Sequence, residues 1–175
     1  MAAATELFAA RGVTSTSIDD IAEKAGIAKG SIYYNFTSKA GLVEAIMDRN
    51  GRLLADGLAQ AIAGRTGPEL RAAVVSALLR LVREHSDAAR VMVTELFRTD
   101  RSWEESIRTW RAIALTPLVD DLLASRPELG RPLAALQASA VVGATLTAGL
   151  EWLVFHPELT FEEVVAVVQE SLGLA

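Results

Sequence analysis

The chain has no cysteine, so neither a disulfide nor a thiolate metal site is available, which fits a reducing cytosol. Histidine is nearly absent too. His85 and His156 fall at helix ends, the second just before Pro157, and roles beside a helix dipole suit them better than catalysis or metal binding. There is no HExxH, no GxSxG and no phosphate-loop glycine pattern, so no enzyme constellation is present and no cofactor is called for. Strand periodicity is missing as well, and the first residues carry neither a basic segment nor a long apolar core, so secretion is not expected. Positive charge is scarce. The net charge is −5, and residues 1 to 50 hold five basic against six acidic side chains, which excludes nucleic-acid binding by bulk electrostatics alone. The longest uncharged run, residues 132 to 150, contains Gln137, Ser139, Thr145, Thr147 and two glycines among alanines. It reads as a buried or interface helix, with no membrane partner expected.

The cations that are present are concentrated. All three lysines, Lys24, Lys29 and Lys39, lie in or beside residues 17 to 39, where two short amphipathic helices meet at a glycine. Ile18, Ile21, Ala22 and Ala25 have the i, i+3, i+4, i+7 spacing of one apolar helical face. Gly26 can close that helix in the left-handed conformation, and Ile27 and Ala28 complete a turn of helix-turn-helix length. In the second helix Ile32 and Phe36 share a buried face. Lys29, Gly30, Ser31, Tyr33, Tyr34 and Asn35 are left outside as a cationic, small and hydroxylated surface suited to DNA.

The ordered segments LFAARG (7–12), SIDDIAEKAG (17–26) and KGSIYYNFTSK (29–39) resemble the DNA-binding domain of the TetR family of ligand-responsive transcriptional regulators. The resemblance covers about 45 residues; beyond it only the helical plan and length agree. It implies that Lys29, Gly30 and Ser31 face base edges or phosphates, that Tyr33 and Tyr34 reach the backbone, that Lys39 contacts a phosphate, and that Thr16 or Ser17 binds phosphate through hydroxyl and amide groups. Asn35 joins this set as a surface residue of the same helix. Ala28 departs from the pattern, because relatives commonly carry Ser or Thr there, so a capping hydroxyl is lost. A basic arm ahead of the first helix, which many relatives have, is also not seen.

The expected fold is all-α with about nine helices. A three-helix helix-turn-helix domain (1–48) joins a helical effector-binding and dimerisation domain (49–175). Ser38 caps a long fourth helix, Pro68 opens a fifth that ends near His85, and Ser86 caps a sixth to about Phe97. Asp100 caps a seventh to about Ser125, which Pro117 should kink near residues 113 to 115. Residues 126 to 132 read as a loop, residues 133 to 155 as helix eight, and the capping-box spacing of Thr160 and Glu163 opens a last helix to about Leu172. The last two helices are the dimerisation surface by resemblance. The valine-rich last helix has apolar groups on more than one face, so the interface set is Leu150, Val154, Val164, Val168 and Leu172.

For an effector cavity the candidates are the tryptophan stripe Trp103, Ile107 and Trp110, with Met92, Leu96 and Leu146 beside it and Glu95 and Thr145 as polar groups. Trp103 is placed at the cavity edge. Arg98 and Arg108 could orient a polar end as Glu95 could, and Asn50 and Thr145 are weaker candidates. Plain core packing is the competing account of the tryptophans, and solvation that of the arginines. The resulting expectation is a cytoplasmic homodimeric repressor, leaving an inverted-repeat DNA operator when a small hydrophobic or amphipathic effector binds. An activator of the same fold, and a helical carrier with a vestigial DNA domain, remain as alternatives.

Overall fold

The computed structural model describes residues 1–95 and 103–174, and among these it holds nine α-helices, one 3-10 helix and no strand. The helices are α1 (Ala2–Arg11), α2 (Ile18–Ala25), α3 (Lys29–Asn35), α4 (Lys39–Ile62), α5 (Gly67–Glu84), α6 (Ser86–Glu95), α7 (Glu104–Ser125), α8 (Gly130–Phe155) and α9 (Phe161–Ser171). The chain divides into two compact units, Met1–Gly51 with Asp87–Trp110, and Arg52–Ser86 with Arg111–Ala175. The break in α4 lies close to the expected boundary at residues 48 and 49. The grouping of α6 and the start of α7 with the N-terminal helices differs from that expectation, which had assigned everything after residue 48 to the second domain.

In the first unit, α2 is capped at both ends by the groups its sequence supplies. The Ser17 hydroxyl accepts from the Asp20 amide at 3.0 Å while the Asp20 carboxylate accepts from the Ser17 amide at 2.8 Å, a complete capping box. At the other end Gly26 takes φ +65°, which lets its amide close the helix onto Ala22 and Glu23. Ile18, Ile21 and Ala22 are buried with Leu7, Phe8 and Val13. Ala25, expected on the same face, is exposed, because the helix ends there and the chain turns away. The start of α4 adds Leu42, Val43, Ile46 and Met47 to the buried set, and Ser38 caps it by accepting from the Gly41 amide at 3.0 Å.

In the second unit α5 packs on both α8 and α9, and its Val75 and Leu79 meet Trp152, Val164 and Val168. Trp152 donates its indole N–H to the Leu159 carbonyl at 2.9 Å, so this large ring is buried without an orphaned donor. Phe161 lies against Trp152, with ring centroids 6.2 Å apart, and the Arg83 guanidinium sits 4.5 Å from its centroid. The buried Asp121 carboxylate on α7 accepts from the Gly67 amide at 2.5 Å and pairs with Arg71 at 2.9 Å, fixing the first turn of α5. Thr160 and Glu163 form the expected box at the start of α9.

The segment read as a loop, residues 126 to 132, is mostly helical. A 3-10 turn, Pro127–Leu129, leads directly into α8 at Gly130. Pro132 misled the reading, because a proline in the first turn of a helix removes an amide that would have no partner there. Pro117 lies inside α7 without ending it. Phe97 and Asp100, expected at the end of one helix and the cap of the next, lie outside the described residues.

Gly149 on α8 admits this close approach of α5. A Cβ built there would stand 3.1 Å from Val82 Cγ1 and 3.2 Å from Leu79 Cδ2, both on fully buried side chains. Gly149→Val should therefore destabilise the protein by about 1–3 kcal/mol through overpacking. Urea denaturation monitored at the tryptophans checks this, and a midpoint equal to that of the wild type would contradict the packing.

Candidate nucleic-acid interface

A recognition helix is useful only if its outer face is free, and α3 meets that condition. Of its seven residues only Ile32 is buried, while Lys29, Gly30, Ser31, Tyr33, Tyr34 and Asn35 are all exposed. Tyr34 is 90% exposed and Tyr33 46%, an unusual position for two large aromatic side chains on seven residues of helix. No side chain caps α3 at Ala28, as the missing hydroxyl implied. The Asn35 amide group donates to the Ser31 carbonyl at 2.8 Å.

Charge on this face is tempered. Lys29 pairs with Asp19 at 2.8 Å, and this hydrogen bond raises the lysine above its ordinary range. The Ser17 hydroxyl and amide hold Asp20 below the ordinary carboxylate range, so Asp20 stays ionised beside Ser17. Lys24 is bound to Glu6 at 2.6 Å. Two of the three lysines thus already have carboxylate partners.

Two residues expected at phosphates are engaged by carbonyls of the chain itself. Thr16 is 1% exposed, and its hydroxyl donates inward to the Gly12 carbonyl at 2.9 Å and the Leu7 carbonyl at 3.4 Å, so it has no hydroxyl to offer a phosphate. Lys39 turns its ammonium onto the carbonyls of Val13, Thr16 and Thr14 at 2.9, 3.1 and 3.3 Å. An ammonium has three N–H donors, and all three are directed at this connection between α1 and α2. Ser17 is exposed, with its hydroxyl also bonded to the Asp20 carboxylate.

The effector candidates are buried wherever they are described. Met92, Glu95, Trp103, Ile107 and Trp110 belong to the first unit, Thr145 and Leu146 to the second, and Leu96 and Arg98 lie outside the described residues. Trp103 was expected at the cavity edge, where exposure was open to it. Instead it is buried just ahead of α7, and its indole N–H donates to Glu95 Oε2 at 3.3 Å; Glu95 itself is 2% exposed. That acceptor is what makes an interior position possible for the indole. Thr145 donates to the Val141 carbonyl of its own helix. Asn50 likewise bonds back to Ile46, and Arg108 pairs with Glu104. An open cleft of about 830 Å³ in the second unit runs between α4 and α5, floored by Gly57, Ala61 and Ala73 with Arg65, Arg80 and Glu84 at its rim, and none of the candidates lines it.

The dimer set also divides. Val164 and Val168 are buried in the chain's own core against α5, and Leu172 packs against the same cluster, so these three face inward. Val154 is exposed, and so are two residues that the sequence reading left out of the interface set, Phe155 at 66% and Val167 at 61%. Leu150 is half-buried. Where a valine-rich stripe is wider than one face, periodicity does not tell which valines turn inward.

This geometry, two short helices at a glycine turn with the outer face of the second left open, defines a helix-turn-helix DNA-binding protein. Residues 1–46 match the family model described as bacterial regulatory proteins, tetR family. The N-terminal segment thus carries the DNA-binding signature of the TetR family of transcriptional regulators. It is similar to the HTH-type transcriptional activator FasR of Mycolicibacterium smegmatis, with 28% identity over 152 residues, 86% of this chain and 69% of that one. The HTH-type transcriptional regulators TtgR and SrpR of Pseudomonas putida and the repressor KstR2 of Rhodococcus jostii match over only 44 to 46 residues, at 40% to 50% identity and 21% to 22% of their own length. Among solved structures the fold agrees with that of AibR in complex with isovaleryl coenzyme A and operator DNA, at TM-score 0.78, 23% identity and coverage of 96% and 93% of the two chains. It also agrees with the regulator FadR from Bacillus subtilis in complex with stearoyl-CoA, at TM-score 0.73, 21% identity and coverage of 98% and 94%.

The Lys29–Asp19 pair yields a test of this face. Asp19→Asn removes an acid from the DNA side and frees a cation, so DNA affinity should rise about threefold to tenfold at low salt, and the gain should shrink as salt is added. Anisotropy titration of labelled duplex checks it, and equal affinity at every salt concentration would mean that Lys29 does not meet DNA.

Proposed function

We propose that the chain is a cytoplasmic homodimeric regulator that binds an inverted-repeat operator through two copies of α3 and represses transcription until an effector releases it. The observation that carries this reading is the open outer face of α3, with both tyrosines exposed beside Lys29, Gly30 and Ser31. Affinity must come from doubling this small surface, because one copy offers few free cations. In a dimer the two recognition helices enter successive major grooves about 34 Å apart, which calls for half-sites about ten base pairs apart.

The interface proposed is the outward surface of α8 and α9, with Val154, Phe155 and Val167 at its centre and Leu150 at its margin. Exposed apolar side chains of this size gathered on two adjacent helices favour a four-helix contact between copies. Phe155→Glu together with Val167→Glu should give monomers that stay folded, since neither residue belongs to the core. Sedimentation equilibrium reads this directly; a dimer of unchanged affinity would move the interface elsewhere.

The effector class proposed is acyl thioesters of coenzyme A, an apolar chain with a polar head. Support comes from the structures of similar fold that carry isovaleryl coenzyme A and stearoyl-CoA. The acyl chain would be met by Met92, Ile107 and Trp110, around the buried Glu95–Trp103 pair. If the effector favours a spacing of the two recognition helices that does not fit the half-sites, effector and DNA weaken each other by the same factor.

The deciding experiment is selection of bound sequences from random duplex, followed by titration of the complex with acyl-CoA of increasing chain length. An inverted repeat released by at least one chain length supports the reading; recovery of no preferred sequence would remove it. Trp110→Ala should blunt release while leaving operator affinity nearly unchanged, after its stability cost of about 3–5 kcal/mol has been measured. A folded variant that responds like the wild type would put Trp110 in plain core. A second reading, activation, is favoured by the FasR relative, which is named an activator. Transcription in vitro from the selected site separates the two.

A further inference from the structure

Lys39 occupies a position where a cation is unfavourable. It is the first residue of α4, and the N-terminus of a helix carries partial positive charge that repels an ammonium. Three carbonyls compensate for this. The ammonium stands 2.9 Å from the Val13 oxygen, 3.1 Å from that of Thr16 and 3.3 Å from that of Thr14. The stretch between α1 and α2 has no regular structure to absorb these carbonyls, and the Thr16 hydroxyl takes the neighbouring carbonyl of Gly12. Two side chains therefore hold the connection from Gly12 to Thr16, and the next residue is Ser17, the cap of the first helix of the DNA-binding pair.

We infer that Lys39 is a positioning residue for DNA binding: its ammonium ties the α1–α2 connection to the first turn of α4, so that Ser17 and the start of α2 are presented to DNA in a fixed place. This rests on the operator-binding reading above and replaces the direct phosphate contact that the family resemblance implied. Every N–H of the ammonium already has an acceptor in the chain, so a phosphate contact would require dismantling the tie. The tie also makes α4 the helix through which the α2 cap is held.

Two substitutions separate positioning from phosphate contact. Lys39→Met keeps most of the aliphatic stem and removes the donors. Lys39→Arg keeps the charge but replaces a tripod of donors by a flat fork that cannot meet three converging carbonyls. In the full chain without DNA, both variants should accelerate amide exchange at residues 14 to 18 by about tenfold while amides of α5 are unaffected, in line with the loss of hydrogen bonds to a charged group. On the selected operator, both should weaken binding about tenfold with an unchanged dependence on salt.

If Lys39→Arg binds like the wild type, and Lys39→Met lowers the salt slope by roughly 0.9 per lost contact in each subunit, Lys39 is a phosphate ligand and the inference fails. Exchange at residues 14 to 18 equal to that of the wild type would also overturn it. A wild-type chain that selects no operator removes the DNA-binding reading and not the tie, which the exchange measurement decides by itself.

Discussion

A helix of seven residues has no stability of its own in water, so the DNA-reading surface depends on what holds α3 in place. A single buried side chain, Ile32, anchors α3, which packs against α2. The other six residues are thereby free to face outward. The capping box at Ser17 and the left-handed Gly26 then fix both ends of α2, so the rigidity of α3 is borrowed from its neighbour. This explains the division of labour in the N-terminal sequence, with apolar groups and caps in α2 and polar or aromatic groups in α3.

Much of this was legible in the sequence because local rules govern it. A serine three residues before an acid, a glycine after an apolar stripe, and a threonine three residues before Glu163 each specify one geometry almost without regard to the rest of the chain. Where several geometries are compatible with one residue, the sequence was silent. The valines of α9 spread over more than one face, and only the packing of α5 selects Val164 and Val168 for the interior and leaves Val167 outside. Thr16 and Lys39 looked like surface groups because hydroxyls and ammoniums usually are. The carbonyls that claim them belong to residues 4 to 26 positions away, which no periodicity announces.

The tryptophans show the same limit from the other side. Trp103, Ile107 and Trp110 are all buried, yet their spacing carried no information on the Glu95 acceptor that lets Trp103 lie inside. Nor could it assign the start of α7 to the N-terminal unit, a matter of tertiary contact. Pro132 was over-read as a loop signal, since proline is well suited to the first turn of a helix.

The Gln169 side chain donates to the Ala72 carbonyl, 97 residues earlier in the chain, and α9 closes the same core of which α5 and α8 are the earlier parts. The second unit therefore cannot be completed until the last helix has left the ribosome. Until then the segment Pro127–Phe155, long and apolar enough by composition to cross a membrane, has one of its two covering helices missing. Its alanines, glycines and threonines make it less adhesive than a leucine-rich helix of equal length would be. That composition leaves less large apolar surface in water during the interval before α9 can cover this helix.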